Sequence, residues 1–108
     1  MITGDIVIFS FPYTDLTSSK ARPAVIVNVI EDNYNDVILC FISSVIRSQL
    51  TQHSILLKPD TTNNLKATSL VKVSRIATVE NSKIKAVIGR LNKDQIEEFK
   101  NKFKSLVD

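Results

Sequence analysis

β-Branched side chains dominate the apolar residues of this chain, and they come in short runs. There are 13 Ile and 11 Val against 9 Leu and 5 Ala. Such side chains are stiff at χ1 and pack well on a pleated surface, so the apolar pattern favours sheet over helix. The runs are separated by clusters of Asn, Asp, Ser, Thr and Pro, which set turns. Strands are predicted over Asp5 to Phe11, Pro23 to Ile30, Val37 to Ser44, Ser54 to Lys58, Ser69 to Val73 and Ile84 to Ile88. Pro23 is expected at the first position of its strand, where no ladder hydrogen bond is yet needed. The run from Val37 is apolar for most of its length and reads as central. Ile76 to Val79 fits either a strand or a helical turn, and Val45 to Gln52 carries no clear pattern.

The C-terminal stretch breaks this rule. Asn92 is an N-cap candidate, Asp94 falls in the first turn, and Gln95 sits at the third helical position. Ile96, Phe99, Phe103 and Leu106 then recur on one helix face, with Lys93, Lys100, Lys102 and Lys104 off it. Strands followed by one amphipathic helix imply a mainly β fold. The expectation is a twisted sheet or half-open barrel of five to seven strands with the helix packed across it.

The length of 108 residues, 44% hydrophobic and 23% charged, fits one globular domain over residues 1–108. Two Gly leave no glycine-rich phosphate cradle. One Cys and one His provide neither a disulfide framework nor a zinc site of ordinary ligand count, so no metal and no cofactor is expected. No stretch approaches the ~20 apolar residues of a membrane-spanning helix. The N-terminus carries no basic leader, and the lone Cys40 suits a reducing cytoplasm, so a cytoplasmic protein with no membrane partner is expected. Charge is uneven: residues 1–60 carry a net of −2 and residues 61–108 a net of +5. A basic half suits a polyanionic partner, and equally a solvated Lys-rich helix face.

Few residues can carry chemistry. His53, flanked by Gln52 and Ser54, reads as structural or surface. Cys40 lies in the most apolar strand and reads as a small buried hydrophobe. The carboxylates Asp5, Asp15, Asp32, Asp36 and Asp60 are scattered, mostly at turns. What remains is Asp15 to Ala24, which sets Asp15, Ser18, Ser19, Lys20 and Arg22 on a loop entering a strand. Arg offers a planar fork of donors suited to phosphate oxygens. The segment therefore reads either as an oxyanion site or as an ordinary exposed loop.

Gly4-Asp5-Ile6-Val7, Phe11-Pro12-Tyr13-Thr14-Asp15 and Lys20-Ala21-Arg22-Pro23-Ala24-Val25-Ile26-Val27 together resemble the opening of the MazF/PemK toxins of bacterial type II toxin–antitoxin systems. Phe41-Ile42-Ser43-Ser44 resembles the family's hydroxyl-bearing third strand. Thr68 to Val79 resembles a later strand and turn, and Ile88-Gly89-Arg90-Leu91 precedes the terminal helix as in that family. The resemblance implies an SH3-like barrel with a C-terminal helix, working as a homodimer. It further implies a sequence-selective endoribonuclease, neutralised by a cognate antitoxin with an acidic tail. The family's arginine falls on Arg22 and its hydroxyl on Ser43, with Ser44 one residue away. Lys20, Ser18 and Ser19 would order the loop and hold flanking phosphates. Arg75 would hold another phosphate, or is simply a surface Arg. Three positions depart from the pattern: Ser43 replaces the commoner Thr, Ser74 replaces an acidic residue, and Asn64 stands where Gly is frequent.

The chemistry so implied is economical. RNA brings its own nucleophile, the 2′-hydroxyl, beside the scissile phosphate. The protein has only to orient it, help move protons and stabilise charge on the phosphorane. A guanidinium rarely gives up its proton, so Arg22 is expected chiefly as an electrostatic clamp and Ser43 as a hydrogen-bond donor. Two other readings share the barrel: a silent RNA-binding protein, and a gyrase-poison-like toxin that targets protein. The latter relies on a C-terminal motif containing Trp, and this chain has no Trp.

Overall fold

The computed structural model describes residues 1–12, 19–33, 35–44 and 50–107, with the side chains of residues 11, 12, 19 and 20 outside that description. The described strands are β1 (Asp5–Pro12), β2 (Ser19–Val29), β3 (Asp36–Ser43), β4 (Ser54–Leu57), β5 (Ser69–Glu80) and β6 (Ile84–Arg90). A short 3-10 turn over Asn81–Lys83 links the last two, and helix α1 (Lys93–Lys104) closes the chain. One six-stranded sheet results, in the order β4-β5-β3-β2-β1-β6, with antiparallel pairing throughout. β3 is indeed central.

Both faces of the sheet are apolar. Alternation along each strand sends Ile6, Val25, Cys40 and Ile42 to one face and Val7, Ala24, Ile26 and Leu39 to the other. The first face is covered by α1. Phe99 is buried there, while Ile96, Phe103 and Leu106 pack along the same cluster. On the second face, Ala77 and Val79 of β5 and Ile84 of β6 extend the cluster as the cross-strand partners of Leu39, Val37 and Phe9. A strand buried on both sides reads as a continuous apolar run, which is why Val37 to Ile42 shows so little alternation.

The helix begins as its sequence requires. Asn92 Oδ1 accepts from Gln95 N at 2.8 Å, and Gln95 Oε1 accepts from Asn92 N at 2.9 Å, a reciprocal capping box.

Two strands differ from expectation. Ser69 to Val73 and Ile76 to Val79 are halves of one strand, β5, joined through an irregularity. Between the pairs Ile42↔Val71 and Cys40↔Ile76, β3 advances two residues while β5 advances five. The extra residues make a bulge, which bends the strand so that its halves serve different faces. β2 also begins earlier than expected, so Pro23 lies inside it, beside Ile8. The β2–β3 ladder starts only at Ala24↔Phe41. A residue with no N–H to donate thus falls where β3 has not yet joined.

Both glycines sit where no side chain fits. Gly4 has φ +92, and a Cβ there would lie 2.7 Å from Ile96 Cγ1. At Gly89 a Cβ would lie 2.5 Å from the carbonyl oxygens of Thr62 and Asn63. The loop over residues 60–65 presses on β6 there, and is held by Arg90 N donating to Thr62 O at 3.0 Å.

Candidate active site

The end of the β2–β3 ladder shapes the site. Two residues beyond the last pair, the register sets Arg22 opposite Ser43. With Pro23 between the ladder and Arg22, the two strands enclose a cleft of about 140 Å³. It is lined by Arg22, Pro23, Phe41, Ile42, Ser43, Lys72 and Arg75. Three of these are cationic, one offers a hydroxyl, and none is a carboxylate. Such a lining suits an anion that carries hydroxyl or oxyanion acceptors.

Each functional side chain is positioned by regular backbone. Ser43 is the last residue of β3 and pairs with Leu70 of β5 on its other side. Leu70 is buried, so the Ser43 end of the strand is anchored by packing. Arg22 is held in β2 by its pairing with Phe9 of β1, and the Phe9 ring stacks on Phe41 at 5.5 Å between centroids. Phe41 also lines the cleft. The charged rim thus stands on an aromatic support that continues into the core.

The remaining site expectations divide. Arg75 joins Arg22 and Ser43 in the cleft. Ser44 follows the strand, is exposed, and is not part of the lining. Ser19 and Lys20 belong to β2, paired with Pro12 and Phe11, rather than to a loop as expected. Asp15 and Ser18 lie outside the described residues, as does most of the patternless stretch after Ser44.

Lys72 is the residue that sequence reasoning missed. Its signal is the triplet Val71-Lys72-Val73. The two valines are fully buried, so the side chain between them points to the other face, which is the cleft face. The bulge holds this arrangement: Val73 N donates to His53 O at 2.9 Å, and the Cys40 thiol donates to Val73 O at 3.3 Å. Burial pushes the Cys40 pKa up from 9.0 to about 12, so the thiol is an inert packing group. His53 serves the fold through its backbone and does not line the cleft.

Among the described residues, no group of three or more His, Cys, Asp or Glu side chains could hold a metal ion. Nor does any described helix have the length and apolarity to cross a membrane.

The whole is an antiparallel sheet with one C-terminal helix packed on it and a cationic cleft at the end of its central strands. The structure superposes on an endoribonuclease in complex with its cognate antitoxin from Mycobacterial species, with a TM-score of 0.69 and 12% identity over 97% of this chain and 92% of that one. It also superposes on the Mycobacterium tuberculosis toxin MazF-mt6, with a TM-score of 0.68 and 18% identity over 94% and 93%. Comparison with curated proteins gives no match. The model of the PemK-like, MazF-like toxins of type II toxin–antitoxin systems matches residues 2–107, and the chain belongs to that family.

Proposed function

We propose that the protein is a metal-independent, sequence-selective endoribonuclease that cuts RNA by attack of the 2′-hydroxyl on the adjacent phosphorus. The observation that carries this reading is the meeting of Arg22 and Ser43 in one cleft rimmed by cations, with no carboxylate among the described residues that line it. In-line attack develops negative charge on the non-bridging oxygens, and the Arg22 fork is suited to hold them. Ser43 supplies a donor to the phosphate or to the leaving 5′-oxygen. No described carboxylate stands in the cleft to repel the substrate backbone. The products of such a step are a 2′,3′-cyclic phosphate and a 5′-hydroxyl.

The partners follow from the same reading. A cognate antitoxin with an acidic segment would compete for the cationic cleft, and a homodimer would set two clefts side by side. The family membership and the likeness to an endoribonuclease in complex with its cognate antitoxin support the antitoxin assignment.

End-group analysis on one cut oligonucleotide tests the chemistry. Replacing the ribose just 5′ of the cut with deoxyribose should abolish cleavage while binding persists, because phosphate contacts mostly remain. Excess EDTA should leave cleavage intact. A 5′-phosphate product, or cleavage of the deoxy substrate, would overturn the mechanism.

A further inference from the structure

We propose that Lys72 is a substrate-binding residue of this endoribonuclease, holding a phosphate next to the scissile one, and that the bulge in β5 is the device that brings Arg75 to the same cleft. The inference rests on the endoribonuclease reading and adds a residue and a subsite to it.

Three observations converge. Lys72 lines the cleft together with Arg22 and Ser43. Its neighbours Val71 and Val73 are fully buried, which commits the backbone and leaves the lysine one direction to point. Ser43 pairs with Leu70, so Lys72, two residues on, is the diagonal neighbour of Ser43. Diagonal neighbours in an antiparallel pair stand roughly 7–8 Å apart, within reach of a long side chain. With Arg22 and Ser43 assigned to the scissile phosphate, the flexible lysine stem beside them is suited to the next phosphate on the same strand of RNA.

The bulge explains why this lysine and Arg75 occur together. On a regular strand, residues three apart point to opposite faces. The extra residues of β5 between Val71 and Ile76 break that alternation, and both Lys72 and Arg75 reach the one cleft. Bulges commonly re-aim side chains in this way beside binding sites. Lysine suits the task, because a point charge on a flexible stem holds a phosphate without demanding a fixed planar geometry.

The test uses the full chain and a short single-stranded oligoribonucleotide that the wild type cuts, carrying deoxyribose at the cut so that binding is read alone. Lys72→Gln should raise Kd severalfold and flatten the plot of log K against log salt by about 0.7, the value of one phosphate contact on a single strand. Lys72→Arg should keep the wild-type slope, and Lys104→Gln, on the far end of α1, should leave it unchanged. On the cleavable RNA, Lys72→Gln should raise KM with little change in kcat. A second arm locates the contact on the RNA. Methylphosphonates placed singly around the cut should identify one neighbouring phosphate whose neutralisation flattens the wild-type slope but not that of Lys72→Gln.

An unchanged slope, an equal flattening by Lys104→Gln, or a fall in kcat with Kd intact would each overturn the assignment. If the wild type neither binds nor cuts RNA, the endoribonuclease reading itself fails, and this inference with it. Cleavage by the wild type with no effect at Lys72 removes the inference alone.

Discussion

Arg22 and Ser43 come from different strands, β2 and β3, and each is placed by a pairing rather than by its own neighbours. Their roles can be told apart by substitution. Arg22→Ala should cut the cleavage rate by on the order of 10²–10³-fold, as expected for loss of a main charge stabiliser. Arg22→Lys should stay impaired because it lacks the planar fork. Ser43→Ala should be poor and Ser43→Thr active, whereas Ser44→Ala should be tolerated. Single-turnover rates on one oligonucleotide decide all five. Cys40 gives a prediction of a different kind. Its raised pKa means that the folded state holds the thiol proton more tightly than the unfolded chain does. That contribution is complete below the ordinary value of 9.0 and is lost as pH rises through about 12. Urea midpoints compared between about pH 8 and about pH 10.5 should therefore fall further for the wild type than for Cys40→Ala, whatever the cavity costs the variant at both.

At the scale of elements, the caps and turns set the frame on which the cleft is built. The capping box at Asn92 satisfies two backbone donors at once, and Asn92→Ala should cost about 1 kcal/mol in denaturant unfolding. The ion pair between Lys102 and Glu98, 3.6 Å apart and largely solvated, should contribute little. Asn64 holds a left-handed backbone at φ +54, and its Nδ2 donates to Ile88 O at 2.6 Å. Asn and Gly both tolerate that conformation, and Asn adds a tie to β6. Asn64→Gly should fold well, while Asn64→Val should lose on the order of 1–2 kcal/mol by thermal or urea unfolding. The neighbouring Asn63 is buried and fully engaged, accepting from Asp60 N and Leu65 N and donating to Lys58 O. The same loop is what Gly89 must clear, so loop and strand are fitted to each other.

Across the whole molecule, charge and packing point in different directions. The core is shared between two sheet faces, one covered by the helix and one built across β1, β2 and β3 and extended by β5 and β6. Charge is left to the rim, where Arg22, Lys72 and Arg75 gather at one end of the central strands. An acidic antitoxin segment should therefore compete with RNA, and its affinity should fall with rising salt. Arg22→Glu combined with Lys72→Glu should weaken that complex sharply in a titration; unchanged binding would place the antitoxin elsewhere. Light scattering at micromolar concentration should give the mass of a dimer, and a clean monomer would remove the paired-cleft arrangement.

Much of this fold was legible because local chemistry and global packing agree. The β-branched runs, the turn clusters and the Asn92–Gln95 cap each carry their own physical cause within a few residues, and the structure contains the corresponding strands and helix start. The central place of β3 followed from its lack of alternation. Tertiary structure alone decided three matters. It joined two apparent strands into β5, because the bulge is held by a bond from Val73 to the backbone of His53, twenty residues away in sequence. It moved Pro23 inside β2, because what excludes proline is a missing neighbour bond, and only the stagger of β3 shows where none is needed. And it brought Lys72 to Arg22 and Ser43, since a cleft at the end of a ladder exists only once three strands have found their register.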